Sequence, residues 1–405
     1  MRFEFATATR IIFGPGTLLE AAPLAAGMGS RALVVTGQSL ERAQPLLSRL
    51  SEQHMEVHTF QVPGEPTTAL ALGGVRAARE AGCDLVIGLG GGSVLDTGKV
   101  IAALLTNSGQ LMDYLEIIGR GQPLTRPSAP YIAIPTTAGT GAEVAWNAVL
   151  ISPEHRVKIS MRSPLMMARL AVIDPTLTYS MPPAITASTG LDALTQVMEP
   201  FVSLKANPLT DGLCREGMQR AGRSLLRAFE EASDAAIRSR DTTPAMDTRA
   251  MDISAQGSRE DMALASLFGG LALANAKLGA VHGLAGPLGG MIHAPHGVIC
   301  ARLLPLVMEA NVRACTARTP DSPALARYDE VARILTGNPS ARAADGILWV
   351  KELCAALKVP PLREFGLTED VFPEAVDKAQ RASSMKGNPV TLTAEELTGI
   401  LRDAL

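Results

Sequence analysis

The chain has 405 residues, 47% of them hydrophobic, and its 37 Lys and Arg against 40 Asp and Glu leave a net charge of −3. That length predicts two domains. The balanced charge, with no basic arm or block, argues against nucleic-acid or anionic-membrane partners. Cys83, Cys214, Cys300, Cys315 and Cys354 form no CxxC unit and read as reduced thiols, mostly small core residues. With no apolar run of signal-peptide length at the N-terminus, the expected location is the cytoplasm.

Strand-like and helix-like segments alternate through the first half. "RALVVTG" (31–37) is a short β-branched run ending in glycine, followed by a helical stretch from Leu40 to Ser51 and a strand at 55–60. A helix over 67–82 leads to "CDLVIGLGGGS" (83–93), a buried strand running into glycines, and then to a helix over 94–107. "YIAIPTTAGTGAEV" (131–144) repeats the plan. Such alternation predicts βαβ units and a mostly parallel, Rossmann-like sheet. Beyond Pro182, apolar residues recur at helical spacing over 184–203, 209–230, 259–281, 323–337 and 342–357, predicting an all-α domain. The expected boundaries are 1–181 for the α/β dinucleotide-binding domain and 182–405 for the helical one. The polar stretch 230–260 is expected to be a mobile surface excursion between two helices.

Two glycine-rich loops carry the first chemistry. Gly90, Gly91, Gly92 and Ser93 sit where a strand opens into a helix, so backbone N–H groups and the helix terminus favour an anion. Tight turns also need glycine, and this loop is neither a GxGxxG fingerprint nor a Walker loop. The second loop, with Thr136, Thr137 and Thr140, would lie beside it at the carboxyl edge of a parallel sheet, which favours a phosphate-bearing cofactor.

Six of the residues are histidines, and His282, His293 and His296 fall within "VHGLAGPLGGMIHAPHG". Asp192 is placed near the start of a helix over 187–203, with Gln196 four residues on and so on the same face. Asp192, His282 (read as ending an apolar helix) and His296 would make a three-point site for a divalent metal. The competing readings are a helix-dipole carboxylate and satisfied core histidines.

"GGGSVLDTGK", "IPTTAGTGAEV", "AVIDPTLTYSMPPAITASTGLDALTQVMEPFVS", "NPLTDGLCREG", "REDMALASLFGGLALANAKLGAVHGLAGPLGG" and "PHGVICARLLP" follow one another across most of the chain. In these motifs the sequence resembles the iron-containing (group III) alcohol dehydrogenases, a family that includes glycerol dehydrogenases, lactaldehyde reductases and maleylacetate reductases. The resemblance implies a dehydroquinate synthase-like fold with an active site in the cleft between its domains, a homodimer or larger oligomer, and hydride transfer between NAD or NADP and an alcohol or carbonyl substrate. It also implies a metal held by an Asp, a His four residues later and two further histidines. Asp192, His282 and His296 occupy three of these positions.

Two positions depart from the family pattern. Gln196 stands where a ligand histidine is usual, offering only an amide oxygen, and Gly286 stands where many members carry another histidine. One reading has Asp192, His282 and His296 holding Fe(II) or Zn, with Gln196 as a weak fourth contact. The other is a metal-independent, maleylacetate-reductase-like reductase, or a degenerate nucleotide-binding homologue without catalysis. A dehydroquinate-synthase-like lyase would want a Lys/Arg-rich phosphate pocket, which 182–300 lacks. His293 is expected beside the substrate or as a bystander.

For the cofactor, NAD-selective members carry an Asp after the first strand, where this chain has Gly37, followed by Gln38 and Ser39. Without that carboxylate the lean is to NADP or dual use, with Ser39 near the phosphate. Gly90–Ser93 would hold the pyrophosphate, with Asp96 ordering the loop, while Lys158 is either a nicotinamide neighbour or a solvated strand lysine.

Overall fold

In the computed structural model, which describes residues 2–241 and 253–405, the chain divides into two compact units. One comprises Ala6–Thr137 and Gly141–Thr178; the other comprises Met1–Phe5, Ala138–Thr140 and Tyr179–Leu405.

The first unit contains β1 (Ile11–Phe13), α1 (Ala21–Ala26), β2 (Arg31–Thr36), α2 (Gln44–Glu52), β3 (Glu56–Gln61), α3 (Thr68–Glu80), β4 (Leu85–Gly90), α4 (Gly92–Thr106), α5 (Leu111–Tyr114), β5 (Tyr131–Pro135), β6 (Asn147–Ser152), β7 (Val157–Arg162) and β8 (Leu170–Ile173). Six strands make one sheet in the order β1-β8-β5-β4-β2-β3, and every pairing is parallel. β4 and β5 are buried at every position and β2 at all but its first. This is the signature of a parallel sheet covered on both faces. The expected parallel α/β sheet is therefore present.

Short strands escaped the sequence reading. β1 and β8 are three and four residues long, too short for periodicity to register. β6 and β7 form a separate antiparallel hairpin, paired from Asn147↔Arg162 to Ser152↔Val157.

The chain leaves β2 toward the β3 edge but leaves β4 toward β5, so the winding direction reverses between β2 and β4. In open α/β sheets the crevice outside the carboxyl ends at such a reversal is the ligand position. The register pairs Thr36 with Leu89 and Gly90 with Pro135. Gly37, Gly91 and Thr136 consequently leave three adjacent strands at that edge.

The second unit is helical: α6 (Pro183–Val202), α7 (Pro208–Asp241), α8 (Ile253–Ala276), α9 (Ala280–Met291), α10 (His296–Arg318), α11 (Pro323–Thr336), α12 (Ala343–Ala356), α13 (Phe372–Arg381) and α14 (Ala394–Ala404). Pro183 at the first position of α6 has its φ preset for a helix. From Gly190 to Ser203 the chain is buried without a break, making α6 the central helix of this unit.

Three expectations need correction here. Asp192 is not near a helix start; it lies mid-way along α6, far from the terminal dipole. The single helix expected over 259–281 is two, α8 and α9, bent by 98° at Lys277–Gly279, so His282 belongs to the first turn of α9 and ends no helix. The left-handed φ of 62° at Lys277 marks the break. In the stretch 230–260, α7 remains helical to Asp241 and α8 begins at Ile253; the remainder lies outside the described residues. Among the described residues no single helix is long and apolar enough to cross a membrane.

Candidate metal and dinucleotide sites

Asp192, Gln196 and Glu199 lie four and three residues apart on α6, forming one polar stripe on a buried helix. Buried polar side chains need partners; Asp192 and Glu199 meet theirs on α9, beside which α10 also packs. The approach of α10 is close: a Cβ at Gly297 would lie 2.5 Å from the carbonyl oxygen of Ser188 on α6, so only glycine fits beside His296.

Glu199 performs two tasks. Its Oε1 accepts the Val281 N–H at 2.7 Å, capping the first turn of α9 where a carboxylate also complements the helix dipole. Its Oε2 lies 2.7 Å from Nδ1 of His282. That contact places the Nδ1 proton toward the carboxylate and turns Nε2 toward Asp192, whose Oδ1 is 3.3 Å away. With the ring neutral, Nε2 and Oδ1 are two acceptors facing each other, and Oδ1 is indeed left without a hydrogen bond. Such an arrangement calls for a cation, whether a proton on the ring or a metal ion.

The electrostatics carry the same message. Burial pushes the Asp192 carboxyl up, but the imidazole of His282 beside it, the charge of His296 and the Gln196 amide outweigh it and hold it below the usual carboxylate range. Burial works against charge on His282, yet Cys300, Asp192 and Glu199 together raise it well above the ordinary imidazole value.

Asp192, His282, His296 and Cys300 bring one donor atom each to within 4.8 Å of one another. Gln196 donates its amide N–H to the Gly139 carbonyl at 3.0 Å, which leaves its Oε1 buried and without a hydrogen bond. Two orphaned buried oxygens beside two imidazoles fit a divalent ion. His293 is outside the cluster: it is exposed, and its backbone N–H donates to Phe365. At Gly286 an added Cβ would meet nothing within 4 Å, so nothing crowds the start of a side chain there.

The sequence reading missed Glu199 and Cys300. The signals were present: a carboxylate two helical turns after Asp192, and a His–Cys pair four residues apart in "HGVIC". Taking all five cysteines mainly as small core residues hid the second.

In the first unit, α4 begins at Gly92 with Gly91 as its N-cap, and no side chain caps it. A Cβ at Gly90 would lie 2.5 Å from the Val94 side chain, so the turn from β4 into α4 requires glycine there. In the first turn of this 15-residue helix Val94 and Leu95 donate to the Gly91 carbonyl, while the N–H groups ahead of them have no intrahelical acceptor, as at any helix start. Thr136 is buried at the end of β5 and Thr137 half-buried after it, while Ser39 is exposed beyond β2.

Two residues proposed for the cofactor have other partners. Asp96 accepts the Val149 N–H at 2.9 Å and pairs with the buried Lys99 at 3.0 Å, so it ties α4 to the β6–β7 hairpin. Lys158 is neither solvated nor free; it pairs with Glu65 at 2.7 Å.

Comparison with known proteins identifies the family. Residues 8–175 match the family model of iron-containing alcohol dehydrogenases, and 186–248 and 244–405 match the C-terminal model of the same family. The chain is 33% identical to 1,3-propanediol dehydrogenase of Klebsiella pneumoniae over 93% of its length and 92% of that protein's. It is 32% identical to 4-hydroxybutyrate dehydrogenase of Cupriavidus necator, covering 99% of both chains. Among solved structures, a 1,3-propanediol oxidoreductase aligns over the whole of both chains with a TM-score of 0.87 and 30% identity. A sulfoacetaldehyde reductase from Bifidobacterium kashiwanohense in complex with NAD+ aligns over 99% of this chain and 98% of its own with a TM-score of 0.81 and 26% identity. Matched along nearly its entire length, the chain belongs to the iron-containing alcohol dehydrogenase family.

Proposed function

We propose that this chain is a nicotinamide-dependent alcohol dehydrogenase that exchanges hydride between a small alcohol or its carbonyl form and NAD(P), at a divalent metal held by Asp192, His282 and His296. One observation carries the reading: a buried carboxylate oxygen without a hydrogen bond, 3.3 Å from the ring nitrogen of an imidazole that a second carboxylate orients. When bound, such an ion acts as a Lewis acid that favours the deprotonated alcohol and polarises the carbonyl. Glu199 keeps His282 in the tautomer that exposes Nε2. The burial of Asp192 at 2% exposure keeps water from competing for its oxygen.

For the cofactor, the α4 terminus with Gly90, Gly91, Gly92 and Ser93 receives the pyrophosphate, and Thr136, Thr137 and Thr140 contact its ribose side. Gly37 brings no carboxylate to the end of β2, which supports NADP or dual use over strict NAD selectivity. The lack of a side chain at Gly286 supports a substrate bulkier than those of relatives with histidine there. A metal-independent reductase would leave the orphaned oxygens of Asp192 and Gln196 unexplained.

The test is elemental analysis of the purified protein together with NADH and NADPH oxidation against a panel of aldehydes and keto acids, before and after chelation. Bound metal, and turnover lost on chelation and restored by Fe(II) or Zn(II), is expected. A sample with neither bound metal nor nicotinamide affinity overturns the proposal.

A further inference from the structure

The donor set has one more member than the family pattern supplies. Cys300 lies one turn after His296 on α10, as Gln196 lies one turn after Asp192 on α6, so two four-residue pairs face each other with His282 between them. Cys300 is fully buried, and its Sγ is 3.6 Å from Nε2 of His296 and 3.8 Å from Nε2 of His282.

These spacings have a meaning in coordination geometry. A tetrahedral ion bonded at about 2.0–2.1 Å to nitrogen and oxygen and about 2.3 Å to sulfur holds nitrogen and oxygen donors about 3.4 Å apart, and nitrogen and sulfur donors about 3.6 Å apart. Here the oxygen–nitrogen edge between Asp192 and His282 is 3.3 Å, and the two nitrogen–sulfur edges are 3.6 and 3.8 Å. As a hydrogen-bonding group the Cys300 thiol has a single proton to share between the two imidazole nitrogens it touches. A thiol is a weak donor, and it serves neither Asp192 Oδ1 nor Gln196 Oε1, the two buried oxygens left unsatisfied at the site.

We propose that Cys300 is the fourth protein ligand of the metal, its thiolate taking the place in the donor set that the missing histidine at Gln196 leaves short. The site then has an Asp/His/His/Cys donor set, and the soft sulfur biases it toward Zn(II) and away from the all-nitrogen-and-oxygen set that suits Fe(II). Four protein donors remain compatible with the Lewis-acid role because zinc can expand to five-coordinate in the transition state. Gln196 stays tied to Gly139 through its amide nitrogen and acts as a neighbour of the ion. This inference rests on the metal site proposed above.

Full-length protein stripped of metal and loaded with one equivalent of Co(II) provides the test. The expected spectrum has a thiolate-to-cobalt charge-transfer band in the near ultraviolet with intense tetrahedral d–d bands. Cys300→Ser should lose the charge-transfer band and bind cobalt about tenfold or more weakly. If that variant does not fold, a chain in which Cys83, Cys214, Cys315 and Cys354 are replaced should keep the band. Stoichiometric cobalt without a charge-transfer band in the wild type, or a band that persists in Cys300→Ser, overturns the assignment of Cys300 alone. Failure to bind cobalt at all overturns the metal site itself.

Discussion

Glu199 and His282, distant in sequence, are joined by a 2.7 Å contact between a carboxylate oxygen and Nδ1, while the other oxygen of Glu199 caps the helix that carries His282. One side chain therefore sets both where the imidazole stands and which nitrogen it presents. Glu199→Gln keeps the shape but loses the charge, and metal affinity should fall roughly 10–100-fold, as for outer partners of metal-bound histidines. Competition with a fluorescent chelator measures this; unchanged affinity would remove Glu199 from its positioning role.

Gln196→His should tighten metal binding. The new imidazole would stand one turn from Asp192 on the buried face of α6, adding a strong donor where a neutral amide now stands. Chelator competition and metal analysis are the readouts, and no change would place this position beyond reach of the ion.

Gly37→Asp should shift the cofactor preference. Gly37 does not have a left-handed φ, and a Cβ there meets nothing within 4 Å, so the substitution should fold normally. A carboxylate beside a 2′-phosphate costs on the order of 1–4 kcal/mol at close range, so NADP affinity should drop about tenfold or more while NAD is spared. Equal losses for both cofactors would contradict this placement of the ribose.

Gly90→Ala should disrupt the dinucleotide site. The added methyl would lie 2.5 Å from the Val94 side chain in the first turn of α4. Overpacking of this kind costs about 1–3 kcal/mol. Nicotinamide affinity, followed by fluorescence titration, should fall while cobalt loading of the other unit is unchanged.

Glu143 contributes a pH dependence to stability. Burial is the main cause that raises its carboxyl from 4.5 to about 7, partly offset by the charge of Lys99. A raised folded pKa means that the stability it confers is complete below about 4.5 and is lost as pH rises to about 7. The loss across that window is roughly 3 kcal/mol. Glu143→Gln should flatten that part of the profile in denaturant titrations; an unchanged slope would show that the group titrates normally.

The sequence made the central strands legible because β2, β4 and β5 are continuous apolar runs ending in glycine or in Pro-Thr, and that pattern has few other readings. It made Asp192, His282 and His296 legible through the quoted motifs. It did not disclose the break at Lys277–Gly279, since apolar spacing continues through the bend and nothing local distinguishes one long helix from two. Nor did it disclose Cys300 or Glu199. Their roles depend on three helices meeting, and spacing along one helix says only that two residues share a face. Asp96 and Lys158 read from the sequence as cofactor residues, and spacing says nothing of the further partners they have, Val149 of β6 and Glu65, because those become adjacent only on folding.

Every donor around the proposed ion stands on a helix: Asp192 and Gln196 on α6, His282 on α9, His296 and Cys300 on α10. The backbone thus supplies a rigid socket with five side-chain positions, one more than a tetrahedral ion uses. Changing which four are occupied takes a single codon and no movement of the chain. Metal preference in this scaffold is therefore open to selection independently of the fold that holds it.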